Sequence, residues 1–464
     1  MSQPRSGLTK RVYTLPPSAA FLRMLVDRLV DGALIPGFQH DPNDPMGLAS
    51  VTIYVPTRRA ARVLRSEFVD RLGGQSAILP VIRPLGETDD DNGYFDAFLP
   101  DSDDLLPPLP NISRLLELAQ LVLAWRNQLP QAILDLQNGS PIVAPATPAD
   151  AIWLARDLAE LIDSVETEEC DWDQLQTLDA SDHQLWWQLT LAFLLIAVDY
   201  WPERLRELHK SSPAKNRNAI LRSEAQRLVR APDTGPVIVA GSTGSLPATA
   251  ELIAAVASLP QGAVILPGLD LSMPKDQWSE ICKISDDGTL HKDAANRSHP
   301  QYGLAQLLHR LHLDRDDIVS LADEDSDLAL RRRFVSCALS PAAATDQWLQ
   351  FRQDLVQPDL DRAFADVALI EAANEREEAT AIAIALKLAL SGSSDTTAAL
   401  VTPDRSLARR VVSELSRFGI EADDSAGTPF FSTMQGSLVL LLLEACLHPG
   451  DPVAVTALLK HPLA

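Results

Sequence analysis

Residues 49–74 read ASVTIYVPTRRAARVLRSEFVDRLGG. The β-branched and aromatic run Val51 to Val55 predicts a strand, Pro56-Thr57 a turn, and Ala60, Val63, Leu64 and Phe68 the apolar face of a helix that Gly73 and Gly74 end. The preceding stretch, KRVYTLPPSAAFLRMLVDRLVDG (10–32), repeats the grammar. It gives a strand at Val12 to Leu15, a Pro-Pro loop, and a helix with Phe21, Leu22, Leu25, Val26 and Leu29 apolar, stopped at Gly32. Two successive strand-loop-helix units predict a parallel sheet with right-handed crossovers, so the fold class is α/β.

Outward from this pair the pattern changes several times. The extended ILPVIRPLG is followed by ETDDDNGYFDAFLPDSDD (87–104), an acidic run read as a domain boundary; a solvated loop and a magnesium site are both open, the latter only if the carboxylates converge. Residues 111–230 show helical spacing only. Thr147, Pro148 and Asp150 predict a capped helix start before Ile152, Ala155, Leu158 and Ile162. Most tryptophans fall between Trp125 and Trp201, where leucine neighbours favour a core role over stacking on unpaired bases. GPVIVAGSTGSLPATAELIAAVASLPQGAVILPGLDLS (235–272) returns to strand, loop, helix and strand. Residues 276–359 read as polar, helical or loop-rich, and include Arg331 to Arg333. From Ala365 the strand-helix alternation resumes through ADVALIEAANEREEATAIAIALKLAL and AALVTPDRSLARRVVSELSRFGIEA, before the helix in STMQGSLVLLLLEACL. The expected organisation is 1–105 as the first part of an α/β domain, 106–230 as an inserted all-helical subdomain, and 231–275 as the return to the first domain. A connecting region at 276–362 then leads to a second α/β domain at 363–464.

At 464 residues the chain has room for about three domains. Its apolar runs are too short to span a bilayer and the first residues lack the apolar core of a signal peptide, so a cytoplasmic protein without membrane partners is expected. The formal net charge of -23 argues against nonspecific adhesion of the whole surface to DNA or anionic lipid, and any nucleic-acid contact must be local. Most of the basic residues are arginine, the type suited to bidentate phosphate contact, although a GC-rich coding bias is the favoured account of the excess. Cys170, Cys282, Cys337 and Cys446 lie far apart and are expected to be reduced core thiols, with no disulfide framework and no metal site.

Chemistry-bearing motifs are sparse. The loop Pro16 to Ala20 has neither the glycines nor the lysine of a nucleotide-binding P-loop, and no G-x-S-x-G or paired Cys-His spacing occurs; no catalytic residue is assigned. His183 and His309 read as core or helix-surface residues. Ser242, Thr243, Gly244 and Ser245 follow a strand and precede a helix; an anion nest and a plain tight turn are both open. The sharpest cluster is Thr57, Arg58, Arg59, Arg62 and Arg65, at a strand end and helix start where backbone amides and guanidinium groups suit a backbone phosphate. The alternative is a solvated helix face with Glu67 and Asp70 as ion-pair partners.

The order of these segments resembles superfamily 1 DNA helicases of the UvrD and RecB kind. YVPTRRAARVLR (54–65) is similar to their motif Ia, which contacts single-stranded DNA, and 237–270 to the stretch from the Walker B strand to motif III, with Ala240 and Gly241 where the two acids would lie. Residues 371–390 and 398–430 resemble the start of the second motor domain. More narrowly, VYTLPPSAAFL, VPTRRAARVLR, LPVIRPLGETDDD, VIVAGSTGSLPAT, LVTPDRSLARRV and DDSAGTPF resemble the AddB family in its alphaproteobacterial form. The resemblance implies RecA-type parallel sheets with an inserted helical subdomain, in an ATPase-dead, helicase-like subunit. Such a subunit partners an AddA-type helicase-nuclease, binds double-strand ends and single strands, and serves double-strand break repair by homologous recombination. Family members carry a C-terminal nuclease domain, in some closed by an iron-sulfur cluster. No counterpart of that domain lies within these residues, so no cofactor is expected in this chain and a truncated or split second motor domain is expected. Two other functions remain open: a nucleotide-dependent enzyme using Ser242 to Ser245, and an acidic protein-interaction scaffold.

Overall fold

The computed structural model describes residues 10–86, 106–128, 147–172, 184–232, 235–284, 297–392, 396–424, 427 and 429–464. The chain divides into two compact units at Phe364/Ala365.

The first unit is built on a six-stranded, all-parallel sheet of β1 (Val12–Leu15), β2 (Thr52–Val55), β3 (Val81–Pro84), β4 (Val237–Ala240), β5 (Gly262–Pro267) and β6 (Val319–Ser320). The spatial order is β3-β2-β4-β5-β1-β6. Thr52 of β2 lies opposite Val81 on one side and Val237 on the other, and Val12 opposite Val264. Helix α1 (Phe21–Val30) links β1 to β2, and α2 (Arg58–Leu72) links β2 to β3. Both crossovers run toward the β3 edge, whereas β4 to β5 runs the other way. Right-handed connection therefore puts α1 and α2 on one face and the β4-β5 helix on the opposite one.

Two apolar clusters occupy those faces. Leu15, Ile53, Val55, Ile238 and Ile265 pack with Leu25, Leu29, Leu64 and Phe68 of α1 and α2. The alternate strand positions, Val12, Tyr54, Val237, Val239 and Val264, face the other layer. Strands buried on both faces explain the near-continuous apolar runs that the sequence displays.

Between β3 and β4 lie α3 (Asn111–Gln128), α4 (Pro148–Glu168), α5 (Gln184–Leu195), a π turn at Ile196–Tyr200, α6 (Trp201–Glu207) and α7 (Pro213–Arg230). The expected start of α4 is present: Thr147 Oγ1 accepts from Asp150 N, and Asp150 caps in return. Leu118, Val122, Ala155, Leu158, Ile162 and Trp201 form a core of their own. Trp201 is fully buried, but Trp153 is 62% exposed and departs from the expected core role. Helix α8 (Pro247–Ser258) joins β4 to β5 and packs along α7, with Leu221, Ala225 and Leu228 of α7 on the sheet-side cluster. Then follow α9 (Lys275–Ile281), α10 (Tyr302–Leu311), the short edge strand β6, which the sequence did not signal, α11 (Ser326–Ala338), α12 (Gln347–Asp354) and α13 (Gln357–Ala363).

The second unit contains α14 (Glu375–Leu390), α15 (Arg405–Ser416), α16 (Met434–Leu447) and α17 (Pro452–Leu459). Asn374 and Asp404 cap the first two by accepting backbone N–H groups. Ala379, Ala383, Val411 and Leu415 form a small core, against which Leu400 and Ile420 pack. The strands expected around Val367–Ile370 and Leu400–Val401 are a correction: neither segment forms a strand or pairs with one among the described residues. Leu369 is 87% and Val401 93% exposed, so the described part of this unit does not supply the second parallel sheet that was expected. A segment without a paired neighbour has no ladder to stabilise it as a strand.

The cysteines also differ from expectation. Cys170 and Cys446 are exposed and Cys282 and Cys337 half-buried; all four are free thiols. The acidic run 87–104 and His183 lie outside the described residues.

Candidate nucleic-acid interface

In open parallel sheets, ligands sit at the carboxyl ends of the strands where the direction of winding reverses. Here the winding reverses between β2 and β4 and again between β5 and β1; the loops leaving β2 and β4 are Pro56-Thr57 and Gly241 to Ser245. Both sequence-derived clusters therefore lie on the same edge of the sheet.

Thr57 is extended and caps α2, its Oγ1 accepting from Ala60 N at 3.1 Å. Helix spacing places Arg58, Arg62 and Arg65 along one face, with Arg59 on the flank, over an axial length of about 10 Å. Arg59 and Arg62 are exposed and Arg58 is half-buried. Arg65 turns toward the sheet, its Nη2 3.4 Å from Ile82 O. Neither Glu67 nor Asp70 forms an ion pair among the described residues.

The second loop is turned inward. Gly241 and Gly244 have positive φ, and Gly244 N donates to Ser242 Oγ at 3.2 Å. A Cβ on Gly244 would lie 2.8 Å from Leu307 Cδ1 and 3.1 Å from Ile253 Cδ1. Packing on α8 and α10 therefore accounts for Gly244, and Ser242 occupies one amide that a nest would need. Thr243 and Ser245 face each other with hydroxyls 3.5 Å apart.

Apolar groups crowd the same edge. A Cβ on Gly241 would lie 3.4 Å from Phe21 Cε1 and 3.5 Å from the Pro56 ring, and one on Gly268 3.3 Å from Pro17 Cγ. Above β1 and β5 a charged network crosses the edge. Ser18 Oγ donates to Glu324 at 2.9 Å, Arg332 Nε to Glu324 at 2.7 Å, and Arg332 Nη1 to Asp270 at 3.2 Å. Asp270 also accepts from Ser272 and Met273 amides. Burial pushes its carboxyl upward, but the Ser272 hydrogen bonds and the Arg332 charge outweigh that and hold it below the usual carboxylate range. The loop after β1 is thus tied to α11 through side chains, where a P-loop would offer backbone amides to phosphate.

A buried cluster behind β2 escaped the sequence analysis. Glu224 of α7 accepts from Tyr54 Oη, from Arg83 Nη1 at 3.3 Å, and from Arg227 Nε at 2.7 Å. The available signal was Glu224 standing on the helix face that carries Leu221, Ala225 and Leu228. Burial and the Glu224 carboxylate together push the Tyr54 phenol far above its usual range.

Among the described residues no group of three or more His, Cys, Asp or Glu is placed to hold a metal ion. No described helix is long and apolar enough to cross a membrane.

The fold and this edge define an α/β protein with an all-parallel sheet and an arginine-bearing helix start at a reversal of winding. Neither a protein-family model nor a curated protein matches the chain.

Proposed function

We propose that this chain is a noncatalytic, helicase-like DNA-binding and scaffold subunit of a two-subunit helicase-nuclease that processes double-strand breaks for homologous recombination. In this reading the first unit is a RecA-type domain with an inserted helical subdomain, and the partner is an AddA-type motor and nuclease subunit. The observation that supports it best is the arginine-bearing start of α2, Thr57 to Arg65, at the carboxyl edge of the sheet. Exposed Arg59 and Arg62 give that local site positive charge on an otherwise acidic chain. The resemblance of 54–65 to a segment that contacts single-stranded DNA supplies the ligand class.

The test is the salt dependence of binding to a fluorescent DNA end with a single-stranded tail, for the unmodified chain and for an Arg59→Glu, Arg62→Glu double variant. Each phosphate contact contributes about 0.9 to the slope of log K against log salt on duplex and about 0.7 on single strands. The variant is expected to bind more weakly and to lower the slope by about one to two. An unchanged slope removes these arginines from the interface, and no binding by the unmodified chain at low salt removes the DNA reading altogether.

A further inference from the structure

Helices α3 to α6 are joined to the sheet in an unusual way. The chain enters along Leu106–Pro110 and leaves along Leu208–Ser212, and these two crossings lie side by side. Leu109 N donates to Ser211 O and Ser211 N to Pro107 O, both at 3.0 Å, while Ser211 Oγ and Asn216 Nδ2 donate to Leu106 O at 2.8 and 2.9 Å. The helical body has its own apolar core, and no residue of that core belongs to either cluster flanking the sheet.

Among the described residues, the body is held against the sheet layer by a polar seam between the end of α4 and the first half of α7. Ser212 Oγ donates to the buried Glu166 carboxylate, and Lys215 Nζ lies 3.4 Å from its other oxygen. Asn218 Nδ2 donates to Glu166 O at 3.0 Å, Arg217 Nη2 to Thr167 Oγ1 at 2.6 Å, and Arg222 Nη2 to Glu169 at 2.6 Å. An open cleft of about 480 Å³, walled by Trp172 and Ala219, separates the two helices beside these contacts. Arg222 also reaches Glu251 of α8, which anchors the α7 side of the seam to the sheet layer.

Small polar interfaces between separately cored bodies permit relative motion, whereas large apolar ones do not. We propose that the helical body is a rigid element that pivots on the paired crossings at Pro108 and Ser211, with the Glu166-centred seam as the latch that keeps it closed. The crossings stay paired in both positions, because their hydrogen bonds join chain to chain at the pivot. Among the described residues, opening breaks the α4-α7 contacts and widens the cleft.

Spin labels at Gln75→Cys, beyond α2, and Glu160→Cys, on the exposed face of α4, report the movement in the full chain after exchange of exposed Cys170 and Cys446 for serine. The unmodified latch is expected to give one narrow distance, with any open form below about a tenth of the population. Glu166→Gln combined with Arg222→Gln is expected to make a second, longer distance a major population while helical circular dichroism is retained. A parallel arm keeps the latch residues and raises salt to about 1 M, where the Debye length is about 3 Å and the partly exposed Lys215-Glu166 and Arg222-Glu169 pairs are weakened. A single unchanged distance in both arms overturns the proposal. If the double variant loses its helical signal, the salt arm alone decides between the same two outcomes.

Discussion

Tyr54 of β2 donates its phenol proton to Glu224 of α7, and the same carboxylate accepts from Arg227. Three elements meet at one buried charge: β2 through Tyr54, β3 through Arg83, and α7 itself. Burial would raise the Glu224 pKa, but the Arg227 and Tyr54 hydrogen bonds and the charges of Arg227 and Arg83 outweigh it and hold the carboxyl below its usual range.

Glu224→Ala is expected to destabilise the first unit by about 3 kcal/mol at pH 7, because it leaves Arg83 and Arg227 without their buried counter-charge. The pH dependence has a definite sign. A depressed carboxylate pKa contributes stability in full above the unfolded value, about 4.3, and loses it as pH falls through the lower folded value. The raised Tyr54 value adds a second limit: its contribution is present below about pH 10 and declines as pH rises beyond. Urea midpoints of the two proteins, separated at pH 7, should draw together as pH falls below about 4.3, the unfolded carboxylate value; parallel curves would exclude the cluster as their cause.

Thr57→Ala removes the α2 cap and is expected to cost about 1 kcal/mol, with Thr57→Ser close to neutral. If Thr57 serves DNA only by shaping the helix start, serine also restores binding. Equal weakening by serine and alanine in an anisotropy titration would assign the methyl group a direct role.

Gly244→Ala combines a positive φ with a Cβ driven to 2.8 Å from Leu307, and is expected to cost about 2 kcal/mol by thermal melting. The same change at Gly74, where nothing lies within 4 Å, meets only the backbone term and should cost less. Equal losses at the two sites would mean that the loop is not packed on α10.

Burial pushes the Cys282 thiol up to about 11. At pH 8 its thiolate fraction is lowered on the order of a hundredfold from that of an ordinary thiol, so a maleimide should modify exposed Cys170 and Cys446 first and Cys282 last. Peptide mapping of a time course checks the order, and early labelling of Cys282 would contradict its burial.

Local signals carried much of the fold. The β-branched apolar runs at Thr52–Val55 and Val237–Ala240, the Pro56-Thr57 turn and the Thr147 cap are short-range features, and each directs only its own neighbours. The strand order is not local, and neither is the convergence of Thr57 and Ser242 on one edge, because it depends on β4 returning beside β2 after the helical body. Two-residue β6 is too brief to alternate visibly. The contacts of Glu224 with Tyr54 and Arg83, and of Asp270 with Arg332, join elements far apart along the chain, so no local pattern displays them. The second unit shows the reverse limit: Val367 to Ile370 has strand composition, but composition supplies no ladder.

The paired crossings at Pro108 and Ser211 also make the helical body a detachable module. Its entry and exit are within one hydrogen-bonded bridge of each other. A short turn from Leu106 to Ser212 would close the gap without moving β3 or β4, and a foreign domain with adjacent termini fits the same socket. The parallel sheet thus serves as a chassis, and the inter-strand body can lengthen, shrink or be exchanged while the edge bearing Thr57 and Arg58 keeps its geometry.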